Sequence, residues 1–331
     1  MRHFKSSILV TLIGFILAYV FLGGLEALYI VFLLSVLEIS LSFDNAVVNA
    51  KVLETMDPIW QKRFITYGIP VAVFGMRFLF PIVIVAVAGG LSIYNTFLMA
   101  VYAPGEYQEI LAHKDVHNLI YAFGGSFLLM VFLSFLLDEN RETKWLSFIE
   151  CNRFIKKVAT ADHSETVIAI AFGLFLTSYF NSVSIALAYF TGVLLHSFLV
   201  TLDDLLHTDG IRSGIIGLLY LEVLDASFSF DGVIGAFALS SDIFIIMIGL
   251  GIGAMFVRSL TLYMVEEKTL NEYMYLEHGA HYAIFALAII MFLNMFTHVS
   301  ELIVGTIGIL FIGISLWHSV REKKKEKLNI S

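Results

Sequence analysis

Residues 27–50 read ALYIVFLLSVLEISLSFDNAVVNA. The stretch is long and apolar enough to cross a bilayer, which takes about 20 residues of helix. Yet Glu38 and Asp44 sit inside it, with Ser42 and Asn45 as neighbours. An ionised carboxylate at the bilayer centre costs at least ~2.5–3.5 kcal/mol on insertion scales. Lipid therefore solvates the outside of this helix, and something other than lipid meets its acids.

The rest of the chain is of the same kind. Of its 331 residues 59% are hydrophobic and 15% charged, at a mean hydropathy of +0.86. A soluble chain of that length has no core large enough to hide so much apolar surface. Apolar runs near 7–23, 27–50, 64–89, 117–137, 166–180, 183–200, 213–239, 243–264, 279–296 and 301–318 predict roughly ten helical spans. As one helix, 166–200 would reach about 52 Å at 1.5 Å per residue, too long for a single crossing. Asn181-Ser182 supplies the turn that divides it. The expected fold is an all-α polytopic membrane helix bundle. The apolar run after Arg2 and Lys5 is read as an uncleaved first span. Pro81 is expected to kink the third span, and 91–116 to form an outer loop or an interfacial helix.

Basic residues test this count. With ten spans and a cytoplasmic N-terminus, one side collects Arg2, Lys5, Lys51, Lys62, Arg63, the cluster within 141–157, Arg212, Lys268 and the lysines of 321–327. The other side keeps Lys114 alone, and Arg77 and Arg258 lie within spans. That asymmetry is the positive-inside pattern, and it puts both termini in the cytoplasm of a bacterial inner or plasma membrane. The chain divides into a first transmembrane repeat (1–138), a cytoplasmic linker (139–165), a second repeat (166–320) and a basic cytoplasmic tail (321–331), the one segment whose composition reads as disordered. The single cysteine, Cys151, excludes an intrachain disulfide and a thiolate metal site.

The two repeats announce themselves in the acids. Shifting by 187 residues lays Leu37-Glu38-Ile39-Ser40-Leu41-Ser42-Phe43-Asp44-Asn45 onto Leu224-Asp225-Ala226-Ser227-Phe228-Ser229-Phe230-Asp231-Gly232. Leu, an acid, two Ser, Phe and Asp coincide. GIPVAVFGMR (68–77) is echoed by GIGAMFVR (251–258), and His117 and His278 each open an apolar run. Five spans separate the copies, so the halves are expected to be inverted repeats whose acidic motifs meet near the midplane.

Glu38, Asp44, Glu222, Asp225 and Asp231 outnumber the in-span basic groups, which favours a cation site over an anion site. Glu38, Ser42, Asn45 and Asn49 share one helical face, and Glu222, Asp225 and Ser229 do likewise. Asp44 and Asp231 each lie six residues beyond the first acid, about 120° round the helix. Either the polar sector is broad or the helix breaks near Ser-Phe-Asp. Carboxylates, hydroxyls and amides are hard donors that suit Mn2+, Mg2+ or Ca2+. The candidate metal residues are Glu38, Asp44, Asn45, Glu222, Asp225 and Asp231, with Arg77 and Arg258 as counter-ions.

Other features read as structural. His113 and His117 stand at metal-ligating spacing but at a loop edge. His278 and His281 with Glu277 form a polar cluster at the membrane surface, His298 and Glu301 cap the last span, and His196 is a core histidine. No Gly-x4-Gly-Lys loop is present, which excludes direct nucleotide drive. No nucleic-acid partner and no covalently bound cofactor are expected, and no enzymatic activity. An intramembrane aspartyl protease needs two acids in Tyr-Asp and Gly-x-Gly-Asp settings, whereas this chain has Ser-Phe-Asp twice.

At these residues the chain resembles the TerC family of integral membrane proteins, within the wider LysE-like transporter group. The acid followed by Ser-x-x-Asp-Asn at 38–45, its second copy at 222–232 and the in-span arginines carry the likeness. The stretches AFGGSFLLMVFLSFLLDE (122–139) and HVSELIVGTIGI (298–309) resemble one branch of that family. The resemblance implies manganese export, metal supply to secreted enzymes or tellurite resistance, with Asp44, Asn45, Asp231, Glu38 and Asp225 as metal residues. Gly232 stands where the first copy has Asn45, so the second copy lacks one amide. The expected function is a secondary transporter exporting a divalent cation, Mn2+ favoured, with protons carried by the same carboxylates as the expected exchange partner. The alternative is a non-transporting metal-binding scaffold linked to metal or tellurite stress.

Overall fold

A helix in lipid must satisfy its backbone polar groups internally, so helices end only where glycine, a capping side chain or a polar segment permits. The computed structural model describes residues 4–139, 141, 143–161, 163–206, 214, 215, 217–219, 221, 222, 236, 240, 242–268, 273–297, 299 and 301–330, some of them by backbone alone. Among these residues the regular structure is helical and no strand occurs. In chain order the elements begin with α1 (Lys5–Leu17), a π-helical stretch (Ala18–Gly23), α2 (Gly24–Leu41), α3 (Phe43–Glu54) and α4 (Pro58–Pro70). A second π-helical stretch (Val71–Leu79) precedes α5 (Phe80–Ala88), α6 (Ile93–Tyr102), α7 (Pro104–Ala112) and α8 (Lys114–Leu136). Short α9 (Ser147–Glu150) and α10 (Arg153–Ala159) lead to α11 (Ser164–Phe180), α12 (Val183–Leu206), α13 (Ile243–Glu266), α14 (Leu276–Asn294) and α15 (Glu301–Ile330).

Among the described residues five stretches are long and apolar enough to cross a membrane: Lys5–Ile39, Lys114–Leu136, Val183–Thr201, Ile243–Glu266 and Leu276–Asn294. The first is not one rod. Ser7 Oγ donates to Met255 O at 2.8 Å, and Gly14 lies against Ile248 and Ile252, so α1 runs antiparallel to α13. Leu34 meets Gly249 and Glu38 meets Gly253, so α2 runs parallel to α13. The chain therefore reverses between them, at Gly23 (φ 140°) and Gly24 (φ 68°), backbone angles that only glycine adopts without strain. Phe21 and Leu25, beside the turn, are about three-quarters exposed and face where lipid would lie.

The reversal expected at Asn181-Ser182 is present. Asn181 takes the left-handed conformation (φ 48°, ψ 42°), and its N–H still closes on Thr177 O. Across that turn Tyr189 Oη donates to Ala169 O at 2.8 Å, and Gly173 makes room for the Tyr189 ring. α8 and α14 are antiparallel: Asn294 bonds Tyr121, Phe292 covers Gly125, and His281 stacks on Phe135. α15 runs antiparallel to α14, since Gly279 touches Ser315 and Tyr275 N donates to Ser319 Oγ. Lys51 pairs with Glu277 at 3.1 Å, joining the C-terminal end of α3 to the N-terminal end of α14. The ends bearing Lys5, Lys51, Arg141, Lys268 and the lysines of α15 thus gather at one end of the bundle.

Several expectations need refinement. The segment 91–116 is neither loop nor single helix but α6 and α7, with α6 capped by Ser92 Oγ accepting from Asn95 N. The middle of the third span widens into the nine-residue π stretch, and Pro81 follows in the first turn of α5, which continues directly from it. The basic tail is helical, not disordered, since α15 continues to Ile330. His298 and the expected span 213–239 lie largely outside the described residues.

Candidate intramembrane ion site

α2 and α3 carry a buried polar stripe. Ser35, Glu38, Ser42, Asn45 and Asn49 fall at alternating spacings of three and four, and all are shut off from solvent. Ser35 was not among the residues singled out from the sequence, because it lies one turn before the repeated motif. Its hydroxyl donates to Val31 O at 2.7 Å and reaches Gly249 O at 3.0 Å, tying the stripe to α13. A Cβ at Gly253 would come 2.4 Å from Glu38 Cβ, so glycine there lets α13 press directly on the acid.

The helix is interrupted where the sequence offered a break. Ser42 leaves helical geometry (φ −107°, ψ 16°) between α2 and α3, immediately before Phe43 and Asp44. Ser42 N–H nevertheless bonds Glu38 O, and Ala46 N–H bonds Ser42 O, so the break is a local swivel rather than an unwinding. Both α2 and α3 pack against α13.

Glu38 is the best-defined acid. Arg77 Nη2 and Ser42 Oγ both donate to its Oε1, the latter at 2.9 Å, while Oε2 is buried without a hydrogen-bond partner among the described residues. Asn49 Oδ1 is buried in the same condition. Arg77 arrives from the π stretch, whose five-residue hydrogen-bond spacing is rare in helices and recurs at functional sites. In the other half, Arg258 on α13 lies 3.7 Å from Glu222, donates from Nη1 to Phe64 O at 2.8 Å and packs over the Phe64 ring. Each in-span arginine therefore faces a glutamate of its own half.

This balance matters for the charge. Glu38 and Glu222 are each neighboured by a guanidinium, so any negative surplus must come from Asp44, Asp225 and Asp231. Asp225, Asp231 and the Asp44 side chain lie outside the described residues. Among the described residues no three His, Cys, Asp or Glu side chains converge on a metal position.

A second polar cluster went unnoticed in the sequence. Glu150, in the linker, is buried: Oε2 accepts from Arg141 Nη2 at 2.9 Å and Trp145 N at 3.2 Å. Its Oε1 accepts from Tyr282 Oη at 3.2 Å and Leu146 N at 3.3 Å, and His278 Nε2 stands 3.5 Å from Oε2. Burial alone pushes the carboxyl up, but His278, Arg141 and the Leu146 N–H together hold it down at about 2. Trp145 Nε1 donates to His318 Nδ1 at 2.8 Å. The linker is thereby bolted to α14 and α15. Nothing but mixed charge marked Glu150 in the sequence, since its partners are spread from Arg141 to Tyr282.

Apolar helices enclosing buried carboxylate–guanidinium pairs define a multi-pass helical membrane protein. The chain belongs to a family described as a protein of unknown function (DUF475), whose family model matches residues 43–326. No curated protein and no solved structure matches it.

Proposed function

We propose that the chain is a secondary transporter that exports a divalent cation, with Mn2+ favoured, through a site built on the α2–α3 polar stripe and its counterpart near Glu222. The observation that carries this reading is Glu38: a carboxylate deep among membrane-crossing helices, with one oxygen held by Arg77 and Ser42 and the other left without a hydrogen-bond partner among the described residues. A bare carboxylate oxygen in such a place is costly, and a hard cation relieves that cost. In this reading a rotation at Ser42, two residues before Asp44, would present or retract that acid as a ligand.

In this reading Arg77 and Arg258 are counter-ions that hold the acids when no metal is present, and protons returning on the same carboxylates drive export. The cation is cargo, ligated by Glu38, Asp44, Asn45, Glu222, Asp225 and Asp231. Ten spans and inverted repeats are part of the proposal. They are supported by the opposed directions of α8 and α14, which carry His117 and His278 in their first turns, and by the reversal at Gly23–Gly24. The gathering of basic residues at one end supports two cytoplasmic termini in a bacterial inner membrane. The TerC-like motif at 38–45 supports the choice of manganese.

Flux of Mn2+, Mg2+ and Ca2+ into proteoliposomes tests the reading. Asp44→Asn combined with Asp231→Asn is expected to abolish it, and equal flux from wild type and this variant overturns the proposal. A metal-binding scaffold without transport is the second reading, favoured by the compensated charges of Glu38 and Glu222. Tight metal binding without turnover in the same vesicles selects it.

A further inference from the structure

The linker carries an unexplained surface. Phe148 is 90% exposed and Phe154 71% exposed, two large aromatic rings that the rest of the fold leaves uncovered. Exposed Arg153, Lys156 and Lys157 surround them, and no acid occurs from Cys151 to Ala161. The one acid of α9, Glu150, points the other way, into the cluster with Arg141, His278 and Tyr282.

That cluster also fixes the height of the segment. Trp145 bonds His318, and the next residue of α15, Ser319, accepts from Tyr275 N. α15 is apolar up to Trp317 and turns basic from Arg321, with the Arg321 guanidinium over the Trp317 ring. Such a switch, with a tryptophan at it, is where a membrane–water interface falls. The linker is thus pinned at headgroup level by a buried acid, with phenylalanines and cations facing out.

We propose that α9 and α10 dock on the lipid surface of the same bilayer, with Phe148 and Phe154 inserted among the headgroups and Arg153, Lys156 and Lys157 on the phosphates of anionic lipids. The apolar rings supply burial, and the basic side chains supply selectivity for negative charge. Long lysine stems reach the phosphates from beside the rings. This inference does not depend on the transport reading.

Cys151, exposed and the only cysteine in the chain, lies between the two phenylalanines and takes a fluorescent label. The full-length protein, labelled there, is reconstituted into phosphatidylcholine vesicles with or without phosphatidylglycerol. In anionic vesicles, acrylamide quenching is expected to fall about twofold relative to phosphatidylcholine alone, with strong quenching by headgroup spin-labelled lipid. The triple variant Arg153→Gln, Lys156→Gln, Lys157→Gln should erase the difference between the two lipids. Phe148→Ser with Phe154→Ser should remove quenching by the spin-labelled lipid. Both variants alter exposed residues, and their unfolding temperatures should match wild type. Equal acrylamide access in both vesicle types and in detergent, with no effect of spin-labelled lipid, overturns the proposal, as does a label shielded only when a second protein is added.

Discussion

Arg77 Nη2 donates to Glu38 Oε1 across helices 39 residues apart in sequence, and each side chain is only 1% exposed. Neither charge has water to fall back on, so each depends on its protein neighbours, and each has the other within hydrogen-bond reach.

Removing one partner should therefore cost far more than removing both. Glu38→Gln or Arg77→Met alone is expected to destabilise the protein by about 3–5 kcal/mol, through the charge left behind. The double variant should recover most of that stability. Thermal unfolding in detergent measures all three, and a double variant as unstable as either single one would show that the pair's charges are not coupled.

Gly253 admits no side chain. Its substitution by alanine brings a methyl group against Glu38 Cβ and within 2.9 Å of Ser35 O, an overpacking expected to cost about 1–3 kcal/mol. Gly308→Ala, within α15 at a position open to space, is the control and should be neutral or slightly stabilising. A Gly253→Ala protein with wild-type stability would mean that α13 can move off the acid freely.

The Glu150 clamp should make stability depend on acid. Its carboxyl is held at about 2, below its ordinary 4.5, so its contribution is full above pH 4.5 and is lost as pH falls through 4.5 toward 2. The difference in unfolding temperature between wild type and Glu150→Gln should shrink as pH falls below about 4.5. A difference that does not change with pH would remove the ionised acid from the explanation.

The turn at Asn181 tolerates few residues. Asn181→Gly should leave stability nearly unchanged, while Asn181→Val should cost about 1–2 kcal/mol, because a β-branched side chain clashes in the left-handed conformation. Paired melting curves decide it, and equal melting temperatures would contradict the observed backbone angle.

How far each feature could be seen beforehand follows from its physical range. The turn at Asn181 was legible because its residue types are local signals between two apolar runs. The interruption at Ser42 was legible as a conflict of angles, since Asp44 lies off the face shared by Glu38 and Asn45. The π stretch was not legible: lipid tolerates an extra residue per turn as readily as none, so hydropathy carries no trace of it. Glu150 was hidden for a different reason. Its burial depends on a tryptophan backbone, a distant histidine and a tyrosine that come together only after α8, α14 and the linker have packed.

The stretch Val71–Leu79 holds one more consequence. In a π-helix each hydrogen bond encloses one more residue than in an α-helix, so the two forms differ by about 100° of rotation for everything beyond the junction. Closing the coil to α-helical hydrogen bonding with no residue removed would therefore swing the guanidinium of position 77 a quarter turn or more around the axis, whereas deleting one amino acid between Val71 and Gly75 would let the coil close and keep the register. The chain stores, in one surplus residue, the means to aim that positive charge.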